Sequence, residues 1–300
     1  MVSESASSSY VLHKVLCSTY FGRVHLARNN NNTTNVVCKL SNRHLTNSSA
    51  GIGTLEDPKK EVDLLRKLQQ YRAVDRSEGS NNIINFIEHF SDATHDWSVL
   101  EWAEQGDLYN IVNNSQQRGE QLSPSLVQDM FRNIFAGLHY LHNHYIVHRD
   151  LSLENFFVMS DGTVKIGDFG QAMEIEVDSE GNQNILCTSG ERPGKTGYMA
   201  PEIIDQQPYN MKKADVFAVG VAMFIALTGI PPFERARSQD KCWKYIKQGR
   251  LHHLIKAWQL KVPELAVDLL QKMMNPENSR ISLSEARSHP FFNADVMMCA

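Results

Sequence analysis

The chain has 300 residues, enough for one large domain or two small ones, either of which can bury a substantial core. Its 30 Lys and Arg stand against 34 Asp and Glu, a formal net charge of −4, which lends no support to non-specific nucleic-acid binding. The five cysteines (Cys17, Cys38, Cys187, Cys242, Cys299) are scattered, with no CxxC pair or metal-ligand spacing, as expected of reduced thiols in an intracellular protein.

The polar start MVSESASSSY is followed by no apolar signal segment, and Val2 breaks the myristoylation pattern. The longest apolar run, 219–233, is interrupted by Gly and Pro and is too short to span a bilayer. The expectation is a cytoplasmic or otherwise intracellular chain with no membrane partner. Residues 1–9 are expected to form a flexible tail. Residues 10–28 read as two strands around a turn, and 35–40 as a third, with an Asn/Thr-rich hairpin tip between. Residues 41–58 are polar and read as a loop. From Pro58, Val62, Leu64, Leu65 and Leu68 recur at helical spacing, and IINFIEHF and WSVLEW give two more strands. After Gly106 the pattern turns helical: 126–144 has a period near 3.6, with Ser123 and Pro124 as its start. FFVM and VKIGD are short strands around Ser160-Asp161-Gly162, and helices dominate from Asp215 to Ala286. The predicted architecture is α+β and bilobal. A small antiparallel sheet lobe with one main helix joins a larger, mainly helical lobe across a cleft.

Four separated elements carry chemistry into that cleft. Lys39 interrupts the apolar strand VVCKL, and Glu61 lies on the following helix; a buried ammonium requires a partner, although two surface charges would give the same pattern. Asp150 and Asn155 stand five residues apart in HRDLSLEN, so a carboxylate can face an attacking hydroxyl while an amide oxygen faces a metal. Asp168, at a strand end in DFG, is an oxygen ligand suited to Mg²⁺. HRDLxxxN followed by DFG is far more specific than either alone.

With FGRV, LEWAEQGDL, YMAPE, DVFAVG and NSRISLSEARSHPFF in the same order, the chain resembles the eukaryotic protein kinases of serine/threonine type over residues 10–292. The resemblance implies an N-lobe at 10–100, a hinge at 101–107, a C-lobe at 108–292 and a tail at 293–300. It implies ATP and Mg²⁺ as cofactors and protein substrates as partners, and it leaves open an upstream kinase acting on the activation loop. It assigns Asp150 to accept the proton of the substrate hydroxyl, Asn155 and Asp168 to hold Mg²⁺, and Lys39, paired with Glu61, to contact the α and β phosphates. Leu16, Gly22, Val24, Leu100 and Phe157 would line the nucleotide pocket, with the backbone at Glu101 and Ala103 on adenine and Asp107 near the ribose. His148 and Phe169 would stack with Leu65 and Phe86, Glu202 would pair with Arg280, and Asp215 would cap the catalytic loop.

Three departures stand out. Cys17 and Thr19 occupy the first two glycine positions of the phosphate-covering loop and only Gly22 survives, which predicts weaker or slower nucleotide handling. Ser152 replaces the lysine that neutralises the transferring phosphate, and Lys195 replaces a threonine three residues before Tyr198. The two positions face each other across Asp150 in the family fold, so Lys195 and Ser152 are expected to have exchanged roles; otherwise Lys195 faces solvent and Thr196 takes the threonine's place. Between Gly170 and Ala200 lie 29 residues with Ser179, Thr188, Ser189 and Thr196 as phosphoacceptors, while Glu191 falls near the usual phosphosite, where it could mimic a phosphate toward Arg149. The alternative to an active enzyme is a pseudokinase that binds nucleotide or serves as a scaffold.

Overall fold

The computed structural model describes residues 9–48, 55–178, 183, 185–188 and 190–293. Most of both expected tails, Cys299 and the acceptors Ser179 and Ser189 lie outside them. The small lobe is a five-stranded antiparallel sheet of β1 (Tyr10–Ser18), β2 (Gly22–Asn29), β3 (Asn35–Asn42), β4 (Phe86–Ser91) and β5 (His95–Glu101), in the order β1-β2-β3-β5-β4. Alternation along β3 places Val36, Cys38 and Leu40 in a core with Tyr10, Ala27, Trp97 and Val99. Lys39 then points to the opposite face, toward the cleft.

Two expectations fail in the small lobe. Within the stretch read as a loop, Arg43–Ser48 forms a short helix, α1. Its start is local: Asn42 Oδ1 accepts from the N–H of His44 and Leu45 at 2.9 and 3.4 Å, a side-chain cap that apolar periodicity does not register. The strand expected from Ile83 begins at Phe86, because Ile83 and Ile84 bridge instead to Ile166 of the large lobe.

Helix α2 (Pro58–Val74) starts with Pro at its first turn and with Asp57 accepting from Lys59 N–H. Its buried face, Val62, Leu64, Leu65 and Leu68, belongs to the large lobe's hydrophobic core rather than to the sheet's own. The helix therefore couples the lobes. The large lobe comprises α3 (Leu108–Gln117), α4 (Pro124–Asn143), the short strands β6 (Ile146–Val147), β7 (Phe156–Val158), β8 (Val164–Ile166), β9 (Met173–Glu174) and β10 (Leu186–Cys187), then α5 (Pro201–Ile204), β11 (Tyr209–Asn210) and α6 (Met211–Thr228). It closes with α7 (Lys241–Lys247), α8 (Leu251–Ala257), α9 (Glu264–Met273) and α10 (Leu283–Arg287). Ser123 caps α4, and α6, apolar around most of its circumference, is the buried axis of the lobe. HRDLSLEN lies between β6 and β7, and DFG follows β8, so both open into the cleft beneath the sheet. No helix among the described residues is long and apolar enough to cross a membrane.

Candidate active site

Lys39 Nζ donates to both Glu61 carboxylate oxygens, at 2.8 and 2.9 Å, and to Asp168 Oδ1 at 3.2 Å. Burial alone would lower the Lys39 pKa and raise that of Glu61. The negative charges of Asp168 and Glu61 outweigh burial at Lys39 and hold the ammonium above its ordinary value, whereas at Glu61 burial outweighs the pull of Lys39 and leaves the carboxyl above its own. The Lys39 charge in turn holds the Asp168 carboxyl below the usual range. A strand, a helix and the turn after β8 thus meet on one cation.

Asp150 Oδ1 accepts from Lys195 N–H at 3.2 Å, and Oδ2 from Asn155 Nδ2 at 3.3 Å. Burial pushes its carboxyl up to about 6, against the opposing pull of the Lys195 charge. Asn155 Nδ2 also donates to the Asp150 carbonyl at 2.7 Å, so the amide is oriented by the loop it serves, and its Oδ1 accepts from no described residue. Arg149 (φ 68°) and Asp168 (φ 60°) lie in the left-handed region, a strain of about 1–3 kcal/mol per non-glycine residue. Asp215 offsets part of it by accepting from the N–H of His148 at 3.0 Å and of Arg149 at 2.9 Å, while His142 Nε2 lies 3.0 Å from the same carboxylate.

Lys195 Nζ lies 3.0 Å from Ser152 Oγ and 3.2 Å from Glu154 Oε1, and no hydrogen bond joins Thr196 to Asp150. Arg149 Nη2 pairs with Glu191. Buried Arg280 makes two bonds to Glu202, at 2.6 and 3.0 Å. His148 and Phe169 have ring centroids 5.1 Å apart, and both are buried with Leu65 and Phe86.

The residues expected around the nucleotide are placed as follows. Leu16 is on β1, exposed; Val24 on β2 pairs with Cys17 on one side and Lys39 on the other. Gly22 has no room for a side chain: a Cβ would meet the Leu40 carbonyl at 1.9 Å. The turn before it is closed by Thr19, whose N–H donates to Gly22 O at 2.9 Å and whose Oγ1 accepts from Gly22 N–H at 3.0 Å. Leu100 and Glu101 end β5, and the Ala103 N–H donates to no described residue. Phe157 packs against Gly167, where a Cβ would meet its ring at 2.9 Å. Asp107 caps α3, with both carboxylate oxygens taken by Asn110 at 2.7 and 2.8 Å.

Three contacts escaped sequence reasoning. Lys165 binds both oxygens of Glu101, at 2.8 and 2.9 Å, and ties the β8 strand to the connecting segment. Gln171 accepts from the Gly194 N–H at 2.8 Å, and His142 joins Asp215. Each partner is distant in sequence, and the only local hint was Lys165 alternating within an apolar strand.

No group of three or more His, Cys, Asp or Glu among the described residues forms a ready metal site, and Cys17, Cys38 and Cys242 are free thiols. The donor set that is present, a carboxylate and an amide oxygen, fits Mg²⁺, which takes one or two protein oxygens and completes its shell with water and phosphates.

The model of the protein kinase domain matches residues 10–292. The chain belongs to the protein kinase family. This kinase domain is 28% identical over 286 residues to the serine/threonine-protein kinase PLK4 of Drosophila willistoni, covering 95% of the chain and 32% of that protein. It is 29% identical over 273 residues to aurora kinase C of Mus musculus (90% and 87% covered). Serine/threonine-protein kinase DCLK2 of Mus musculus is 32% identical over 242 residues, with 79% of the chain and 29% of that protein covered. The kinase domain thus spans under a third of PLK4 and DCLK2 but most of aurora kinase C.

Proposed function

We propose that the chain is an ATP- and Mg²⁺-dependent protein serine/threonine kinase that transfers the γ-phosphoryl group to Ser or Thr hydroxyls of protein substrates. Its parts are an N-lobe at 10–100, a hinge at 101–107 and a C-lobe at 108–292. The observation that carries this reading is the convergence of Lys39, Glu61 and Asp168 on one ammonium, beside an Asp150 held by Asn155 and Lys195.

Each residue then has a task. The free N–H of Ala103 and the backbone at Glu101 hold the adenine edge between Leu16, Val24, Leu100 and Phe157, and Lys39 holds the α and β phosphates. Asp107 contributes to the ribose only by sharing a carboxylate already engaged as a cap. Asp168 and the open Oδ1 of Asn155 would hold Mg²⁺, which when bound neutralises the phosphates. Asp150 orients the acceptor hydroxyl and takes its proton as the oxygen–phosphorus bond forms; the bond from the γ-phosphorus to the bridging oxygen breaks, and the diphosphate leaves with that electron pair. The loop DLSLEN lacks the arginine typical of tyrosine-directed kinases, which favours aliphatic hydroxyls.

The test is transfer of label from γ-labelled ATP and Mg²⁺ to generic protein acceptors, with Asp150→Asn alongside. Signal from the wild-type chain alone supports the reading. Equal signal from both marks a contaminant, and signal from neither moves the assignment to a pseudokinase scaffold.

A further inference from the structure

The catalytic loop and the activation segment share a polar junction that neither could build alone. Ser152, two residues after Asp150, is fully buried, and its Oγ accepts from Lys195 Nζ at 3.0 Å. Glu154 Oε1 takes the same ammonium at 3.2 Å. An ammonium has three donors; these two partners leave one with no described partner on a side chain that is 42% exposed. The Lys195 main chain also donates to Asp150 Oδ1, so one residue both aims the carboxylate and brings a positive charge beside it.

The segment holds itself in this place. Gly194 (φ +85°) donates to Gln171 Oε1, and a Cβ on it would meet the Arg149 carbonyl at 2.8 Å, so only glycine permits the approach. On one side Glu191 pairs with Arg149, and on the other Glu202 pairs with Arg280.

Building on the kinase reading, we propose that Lys195 supplies, from the activation segment, the cation that neutralises the transferring phosphoryl group. Docking of the segment and completion of the catalytic charge are then a single event. The residue exchanges no proton or electron pair; it acts through its field and its third donor, where negative charge grows on the phosphoryl oxygens. When the segment leaves, the catalytic loop keeps a neutral serine where it needs a cation, and the site is electrostatically incomplete even with Lys39, Asp150 and Asp168 in place.

The experiment compares wild type, Asp150→Asn, Lys195→Met, Lys195→Arg and the double variant Lys195→Met/Ser152→Lys. Lys195→Met should lower kcat about 100-fold with little change in KM for ATP, as expected for a group that acts only in the transition state. Lys195→Arg and the double variant should each recover part of the loss. In parallel, equilibrium binding of ATP and thermal melting are measured on the same variants. Both should stay at the wild-type value in Lys195→Met, because the cation acts only once charge grows on the phosphoryl oxygens. Unchanged turnover, an ATP affinity that falls in step with turnover, or a loss of kcat that accompanies lost thermal stability and is rescued by neither variant overturns the proposal. Silence of wild type and Asp150→Asn alike defeats the kinase reading, and this inference with it.

Discussion

Arg149 Nη2 lies 2.5 Å from Glu191 Oε2, an ion pair that joins the catalytic loop to the activation segment with the arginine side chain only 9% exposed. A carboxylate here does what a phosphate on the segment would do: it gives a buried guanidinium its counter-charge. Protein free of phosphate at Thr188 and Ser189 is therefore expected to be active, and Glu191→Ala to lower turnover by about tenfold or more, since ~1.4 kcal/mol of segment docking is a tenfold effect. Intact-mass spectrometry with activity assays decides. Activity strictly dependent on phosphate at either residue would sink the idea.

The Asp150 carboxyl, pushed up by burial to about 6, predicts the acid limb of the pH profile. A base works only when ionised, so kcat/KM should fall about tenfold per pH unit below that value and level off above it. The sign for stability is the reverse. The folded state holds this proton more tightly than the unfolded chain, so ionising Asp150 costs on the order of 3 kcal/mol above pH 6, a cost that disappears below the ordinary aspartate range. Asp150→Asn should therefore lose turnover while raising Tm near neutral pH. A half-maximal activity near pH 4, or a less stable Asn variant, would contradict the burial effect.

Arg280 is fully buried, bonded to Glu202, to the carbonyls of Asn275 and Lys213, and stacked 4.8 Å over Phe217. Arg280→Ala leaves Glu202 without its partner at 9% exposure, and the expected destabilisation is about 3–5 kcal/mol. Urea denaturation reads it as a lower midpoint. A change of under about 1 kcal/mol, the size of an exposed pair, would show that the staple carries little.

Gly22→Ala tests how closely β2 and β3 must approach. Its Cβ would lie 1.9 Å from a backbone oxygen of Leu40, the neighbour of Lys39, and backbone cannot step aside as a side-chain tip can. The variant should melt lower and raise KM for ATP. An unchanged Tm with normal ATP affinity would mean that the strand pair yields freely.

The two-lobe architecture was legible because its signals are periodic: alternation in VVCKL, helical spacing from Val62 to Leu68, and the capped start of α4 at Ser123. Helix α1 was not legible, since a six-residue turn with Leu45 as its single apolar side chain, started by one asparagine, leaves no apolar rhythm. The positions of Lys39, Glu61, Asp150 and Asp168 could be named because order and spacing single them out. What they cost one another in burial and charge could not. The bonds of Lys165 to Glu101, Gln171 to Gly194 and His142 to Asp215 join residues 64, 23 and 73 positions apart, and no local pattern encodes such pairings.

The turn closed by Thr19 and Gly22 has a consequence for traffic through the cleft. At its rim the glycine amide already has an internal acceptor, so an arriving triphosphate finds fewer unclaimed donors there than an all-glycine rim would present. On the proposed reading, grip then passes to the floor and the rear wall, to Lys39 above all. A roof that clasps itself rather than its guest gives little resistance to departure, so spent diphosphate should exchange quickly and the chemical step, not product escape, should set the pace of the cycle.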